Sequence, residues 1–461
     1  MFSPDTYQKR RDELRKMMHG GMVFFPGNVE TPFNYPDNTY SYRQDSTFMY
    51  YFGLQEPGLA GVMDLDDGSE CLFGDDSTMA DIIWIGQQPS MSDKAASIMI
   101  SQTQSYAALA GVLQKAQQQG RTIHFLPPYR AETKIHLWEL LGILPALQKE
   151  KASEQLIKAV VKMRMVKEPQ EIGQIEAAIG VCYQMHTYVM KHVRAGMVES
   201  ELSGAIEGIA LASGGHVAFP VILSINGQIL HNHYHGNTMH NGQLLITDAG
   251  AETAMGYAGD ITRTVPVSGR FDARQKAIYQ TVLQANLKGI EMSRPGVYYR
   301  DVHLAAARII AEGLKDAGVM RGNMDDAVAL GAHTLFFPHG LGHAMGLDVH
   351  DMEGLGENYV GYDDTISRST EFGLKSIRFG RRLESGFVVT VEPGIYFIPA
   401  LIDQWEAEKR FSEFINYDIL KDYRSFGGIR IEDDILITDS GCRVLGPPIP
   451  KTVEELEGII C

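Results

Sequence analysis

GQLLITDAGAE (242–252), FVVTVEPGIYF (387–397) and GIRIEDDILIT (428–438) are apolar runs of strand type, each interrupted by a carboxylate: Asp248, Glu392 and Glu432. A carboxylate inside an apolar strand is costly to bury unless its charge is compensated. A single one is ordinarily a strand-end acid facing water. Here three are joined by Asp260 in GYAGDITRT (256–264) and by the His-Gly-Leu-Gly-His stretch at 339–343, which ends in His343. The economical explanation is a shared cation site.

Four carboxylates bring about four negative charges, which two divalent cations would neutralise; a single cation would leave the cluster repelling itself. Oxygen-rich ligation with one imidazole suits Mn²⁺, Co²⁺, Fe²⁺ or Zn²⁺, and the donor set does not choose among them. Two metals ~3.5–4 Å apart can bridge a hydroxide and polarise a carbonyl together, so the expected chemistry is hydrolysis. Side chains two apart on a strand share a face, so Arg430 should face the same way as Glu432. Two compatible roles follow for it: holding a ligand carboxylate or substrate carbonyl, and balancing the acidic cluster with a salt bridge.

Working outward, the second half reads as helices at 170–194, 199–213, 272–292 and 301–317 around these strands, with 353–386 an ordered loop near the site. Residues 1–150 have the alternation of an α/β domain. GGMVFFPG (20–27) and GLAGVMDLDDG (58–68) read as strands closed by Gly or Asp-Gly turns, 92–120 as helix, and RTIHFLPP (121–128) as strand again. A helical stretch from Lys151 breaks near Lys167-Glu168-Pro169, where the proline opens the next helix. The domain boundary is placed near residue 160, giving 1–160 and 161–461.

Two domains also suit a chain of 461 residues. Apolar content of 44% and charged content of 21% are those of an ordinary globular protein. The net charge of −16 repels phosphate backbones and argues against nucleic acid as a partner. Cys71, Cys182, Cys442 and Cys461 are scattered without metal or disulfide spacing. The N-terminus reads as an amphipathic helix rather than a signal peptide, and no run reaches the ~18 apolar residues of a membrane span. The expectation is a cytoplasmic protein with no membrane partner.

The motifs that carry these residues resemble those of the pita-bread metallopeptidases, specifically the branch holding Xaa-Pro dipeptidase and aminopeptidase P. YSYRQDSTFMYYFGL (40–54) is similar to that branch's N-terminal domain. LHNHYH (230–235), TDAG, GDITRT, PHGLGHAMGLDVHD (338–351), TVEPGIY (390–396) and GIRIEDD (428–434) match its catalytic motifs in order. The resemblance implies an α/β (α+β) chain: a creatinase-like N-terminal α/β domain followed by a pita-bread catalytic domain. It implies a dinuclear hydrolase that cleaves between an N-terminal residue and a following proline, most readily with Mn²⁺.

By position it assigns one metal to Asp248, the other to His343 and Glu392, and both to Asp260 and Glu432. Glu392 would also shuttle the proton. His350 would stabilise the scissile carbonyl or tetrahedral intermediate, His231 would contact substrate near the proline, and His339 would line the pocket. His233, His235 and His240 read as loop or surface histidines. Tyr396, four residues after Glu392, is a pocket candidate, with strand packing as the alternative.

Arg378 in GLKSIRFGRRL matches the prolidase arginine that clamps the free carboxylate of an Xaa-Pro dipeptide; its alternative is a solvated basic loop with Arg381 and Arg382. The surrounding text favours the dipeptidase, with aminopeptidase P acting on longer peptides as the alternative. Trp84 in DIIWIG resembles a tryptophan that reaches a neighbouring subunit's active site, which implies a homodimer or homotetramer; ordinary core or surface packing is its alternative. Metal-free binding modules of this fold lack several ligands and this chain lacks none. Creatinase is set aside on the same ground, and methionine aminopeptidase by the large N-terminal domain.

Overall fold

The computed structural model describes residues 1–459, so Cys461 lies outside the described residues. The chain forms two compact units: Met1–Arg164 with Gly354–Tyr359, and Met165–Glu353 with the chain from Val360 onward.

The first unit is built on a five-stranded mixed sheet in the order Gln102–Gln104, Glu70–Phe73, Ala60–Asp64, Met22–Pro26, Ile123–His124. Its central strands Met22–Pro26 and Ala60–Asp64 are buried and largely apolar because both faces of the sheet are covered there. Phe24, Val62 and Phe73 pack on one side with Leu113 and Leu137 of the helices Leu109–Gln118 and Ala131–Leu141. On the other side Phe25 packs against Tyr51 and Phe52 of the helix Ser46–Phe52. Residues 92–120 differ from the helix their composition predicts. A short helix, Met91–Ala96, gives way to the edge strand Gln102–Gln104, which pairs in parallel with Cys71–Phe73 before helix resumes. Ile98 and Ile100 are buried and Met99 takes a positive φ of 59°, so tertiary packing outweighs local helix preference there.

In the second unit, helices Pro169–His192, Glu199–Ala212, Ala273–Met292 and Tyr299–Asp316 accompany short antiparallel sheets. Pro169 stands in the first turn of its helix, where the missing N–H removes no helical bond. One sheet runs Thr262–Pro266, Leu244–Asp248, Ile222–Ser224, and another Val388–Val391, Asp433–Ile437, Cys442–Val444. Gly394–Tyr396 pairs with Gly428–Arg430. The carboxylates mark where these strands end: Asp248 closes its strand, while Glu392 and Glu432 sit in the gaps after Val391 and Arg430. The strands are joined at those gaps, since Glu432 N–H donates to Thr262 O (3.0 Å) and Thr264 Oγ1 donates to Arg430 O (3.0 Å).

Candidate metal centre and peptide pocket

A cavity of about 520 Å³ in the second unit is lined by Asp248, Asp260, His343, Glu392 and Glu432, together with His231, His339, His350, Arg378 and Arg430. Residues spread along the chain from Asp248 to Glu432 reach it because the strand breaks and two glycine approaches point them inward. At Gly342 a Cβ would lie 2.0 Å from Thr390 O, so only glycine lets the His343 loop lie on the strand Val388–Val391. That contact is fixed by Thr390 N–H donating to His343 O (3.0 Å) and His343 N–H donating to Thr390 Oγ1 (3.1 Å). At Gly250 a Cβ would meet Gly259 O at 2.0 Å, which holds the Asp248 and Asp260 loops together.

His343 Nε2 lies 3.4 Å from Asp260 Oδ2 and 3.7 Å from Glu392 Oε1, while its Nδ1 bonds Ala344 O at 3.1 Å. Nδ1 therefore carries the proton and Nε2 offers its lone pair toward the carboxylates, the arrangement of a metal-binding histidine. Burial lowers its pKa to about 4, so the ring is neutral near pH 7. Ligand atoms of Asp260, His343 and Glu432 lie within 4.8 Å of one another. Thr262 Oγ1 donates to Glu432 Oε2 (2.7 Å), and Asp434 Oδ2 accepts from Asp260 N–H (2.9 Å).

Burial, then mutual repulsion, raises the proton affinity of Asp260, Glu392 and Glu432 well above the ordinary carboxylate range. Asp248 Oδ1 and Asp260 Oδ1 are buried with no hydrogen-bond partner among the described residues. Arg430 offsets one charge through Asp248 Oδ2 at 2.5 Å, so the salt-bridge role foreseen for it is present. The residual negative charge, the orphaned oxygens and the hard donors with one imidazole fit divalent cations.

Arg430 also donates to Tyr396 Oη (2.7 Å) and Thr262 Oγ1 (3.1 Å), and His339 Nε2 bonds the same Tyr396 Oη at 2.9 Å. Tyr396 is fully buried behind the lining and connects two of its residues. Burial pushes the pKa of His339 down to about 3. Arg378 lines the cavity and pairs with Glu353, whose other oxygen bonds His350 Nδ1 at 2.7 Å. His231 and its exposed neighbour His233 both line the cavity, whereas His235 Nδ1 bonds Leu223 O at 3.1 Å. Trp84 belongs to the first unit, 85% exposed on the helix Met79–Ile85, which buries none of its residues.

Three features went unread in the sequence. Glu353, three residues past His350, could have been flagged as an acid within reach of a pocket histidine. The clasp formed by Lys167 and Glu171 had no signal. Lys167 Nζ meets Asp351 Oδ2 at 3.0 Å with both side chains about 1% exposed, and Tyr257 Oη donates to Glu171 Oε1 at 2.9 Å. These contacts tie the start of the Pro169–His192 helix to the loops carrying His350 and Asp260. The third is Arg263, buried against Asp433 (2.8 Å) and the carbonyls of Glu432, Ile449 and Pro450, which braces the back of the Glu432 segment.

A metal-dependent peptidase is the class this fold and site define. Residues 173–439 match the model of metallopeptidase family M24, and residues 7–124 that of the aminopeptidase P N-terminal domain. The human Xaa-Pro dipeptidase is 33% identical over 98% of this chain and 91% of its own length. The Escherichia coli Xaa-Pro aminopeptidase is 31% identical over 99% and 98%. A solved structure of Escherichia coli aminopeptidase P with the inhibitor Pro-Leu superposes with a TM-score of 0.81 at 30% identity, covering 100% of this chain and 98% of that one. The chain belongs to metallopeptidase family M24, in the branch of Xaa-Pro dipeptidase and aminopeptidase P, and divalent metal chemistry comes with that family. Among the described residues no helix is long and apolar enough to cross a membrane.

Proposed function

We propose that this enzyme holds two divalent cations, most readily Mn²⁺, and hydrolyses the bond between an N-terminal residue and a following proline, preferring Xaa-Pro dipeptides. The observation that carries this reading is the convergence of five ligand-type side chains and Arg378 on one cavity. Asp248 would hold one cation and His343 with Glu392 the other, with Asp260 and Glu432 shared. When bound, the cations would lower the pKa of an attacking water and polarise the scissile carbonyl.

The remaining work falls to this chain's own groups. The carboxylate of Glu392 accepts a proton from the attacking water and returns it to the proline nitrogen as the bond breaks. His350, its Nδ1 held by Glu353, keeps Nε2 for the carbonyl oxygen; burial lowers the pKa of the ring, and the Glu353 carboxylate offsets part of that lowering. His231 and His339 border the proline, and Arg378 meets the carboxylate beyond it. The exposed apolar face of Met79, Ile83, Trp84 and Ile85 supports self-association as a dimer or tetramer.

Aminopeptidase P activity is the second reading, supported by the solved relatives. Mn²⁺-loaded protein given Ala-Pro and Ala-Pro-Ala separates the two, and the expected result is cleavage mainly of the dipeptide. Arg378→Ala should then reduce kcat/KM for Ala-Pro about tenfold or more while sparing the tripeptide. Cleavage mainly of the tripeptide would establish the aminopeptidase reading instead, and equal losses on both substrates would overturn the role of Arg378 as the carboxylate clamp.

A further inference from the structure

Glu353 is a carboxylate behind the pocket lining, outside the cation cluster, and it connects two lining residues with different tasks. Its Oε2 holds His350 Nδ1 at 2.7 Å, and its Oε1 accepts from Arg378 Nη1. Both side chains of the Glu353–Arg378 pair keep partial contact with solvent, 27% and 36% exposed, so the pair can rearrange when a charged ligand enters. We propose that Glu353 is a specificity-determining residue, an internal carboxylate that pairs with Arg378 and sets how strongly the pocket prefers a substrate with a free carboxylate beyond the proline. The inference rests on the reading that Arg378 meets that end of the substrate.

A guanidinium recognises a carboxylate through its planar fork and its charge. Glu353 engages an N–H of that fork and offsets its charge. An incoming carboxylate must therefore share the guanidinium with a like charge, whereas an uncharged end meets no such competition. Glu353 thus tempers the arginine: the dipeptide is favoured less than an unpaired Arg378 would favour it, and peptides without a carboxylate at this position stay acceptable.

Ala-Pro and Ala-Pro-amide differ at one end only, and their KM ratio in Mn²⁺-loaded protein reads this directly. Glu353→Gln should lower KM for Ala-Pro about fivefold relative to its effect on the amide, the size of one partly exposed ion pair. Any disturbance of His350 acts on kcat for both substrates alike and cancels in the ratio. Glu353→Ala, which also removes the His350 acceptor, should slow both substrates yet give the same ratio. With Ala at position 378, neither change at 353 should move the ratio. Equal KM changes for the two substrates, or a ratio shifted toward the amide, would overturn the role of Glu353 while leaving Xaa-Pro cleavage standing. A wild-type protein that cleaves neither substrate but hydrolyses other peptides would overturn the underlying reading and this inference with it.

Discussion

The two units bury their strands on opposite terms. In the N-terminal sheet Phe24, Val62 and Phe73 are almost wholly shielded by apolar neighbours, and the deeply buried Arg11 is fully engaged by Glu70 and by the carbonyls of Tyr51 and Ile98. In the catalytic unit the strand ends bury Asp248, Asp260, Glu392 and Glu432 around one ion-paired arginine, leaving oxygens without partners among the described residues. The first arrangement is stable by area removed from water. The second is held together by the rest of its unit, including the Lys167–Asp351 pair and the Arg263–Asp433–Lys451 group, in which the two cations pull the Asp433 pKa down to about 2. A functional site of this kind stores repulsion that a bound cation relieves.

The largest expected effect breaks that contrast at its centre. Glu432→Gln keeps the shape but removes one charge, and should reduce hydrolysis about 10³-fold, the several kcal/mol that metal-assisted stabilisation supplies. Bound metal measured by elemental analysis should fall in parallel. The metal-free variant should melt higher than metal-free wild type at pH 8. The sign follows from the raised proton affinity of Glu432: a carboxyl whose folded pKa lies above its unfolded value loses stability as pH rises toward the folded value. A lower melting temperature at pH 8 would mean the cluster is not self-repelling.

The converse substitution belongs in the N-terminal sheet. Phe24→Ala should cost about 3–5 kcal/mol through lost burial and a residual cavity. Its kcat/KM per folded molecule should stay within about twofold of wild type, because Phe24 carries none of the chemistry. Denaturant melts and active-site-normalised kinetics would test this, and a large loss of kcat/KM in well-folded protein would refute the separation.

How much of this could be read beforehand follows from the same contrast. The carboxylates betrayed themselves because an acid inside VVTVEPG or IRIEDD violates a strong local pattern, and His343 because it ends a His-Gly-Leu-Gly-His stretch that joins them. The long helices were legible from their period and from Pro169. The 92–120 segment was misread because an edge strand of Gln-Thr-Gln has no apolar signature and is fixed by pairing with distant residues. Lys167 and Glu171 were invisible for a related reason. Charged residues in polar stretches look like surface, and only the fold brings each against a buried partner.

A third kind of buried polar group gives the smallest effect and sharpens the comparison. His303 and His333 are both fully buried, their rings 6.4 Å apart, and no ring nitrogen of either has a partner among the described residues. They lack the charge of the carboxylate cluster, so they are tolerated as long as they stay neutral. Burial lowers the pKa of His333 to about 4 and, with His333 and His339 nearby, that of His303 as well. The unfolded chain protonates near 6.5, so stability is complete above that pH and declines below it, at about 1.4 kcal/mol per pH unit for each ring. Phe337 stacks on His303 at 5.0 Å and meets His339 edge-on at 4.9 Å, so acid loosening here should be felt at the pocket wall. His333→Leu should shrink the drop in melting temperature between pH 7 and pH 5 by roughly 4 °C. An undiminished drop would show that the ring protonates in place without penalty, and the tolerance of this pair would then rest on something other than neutrality.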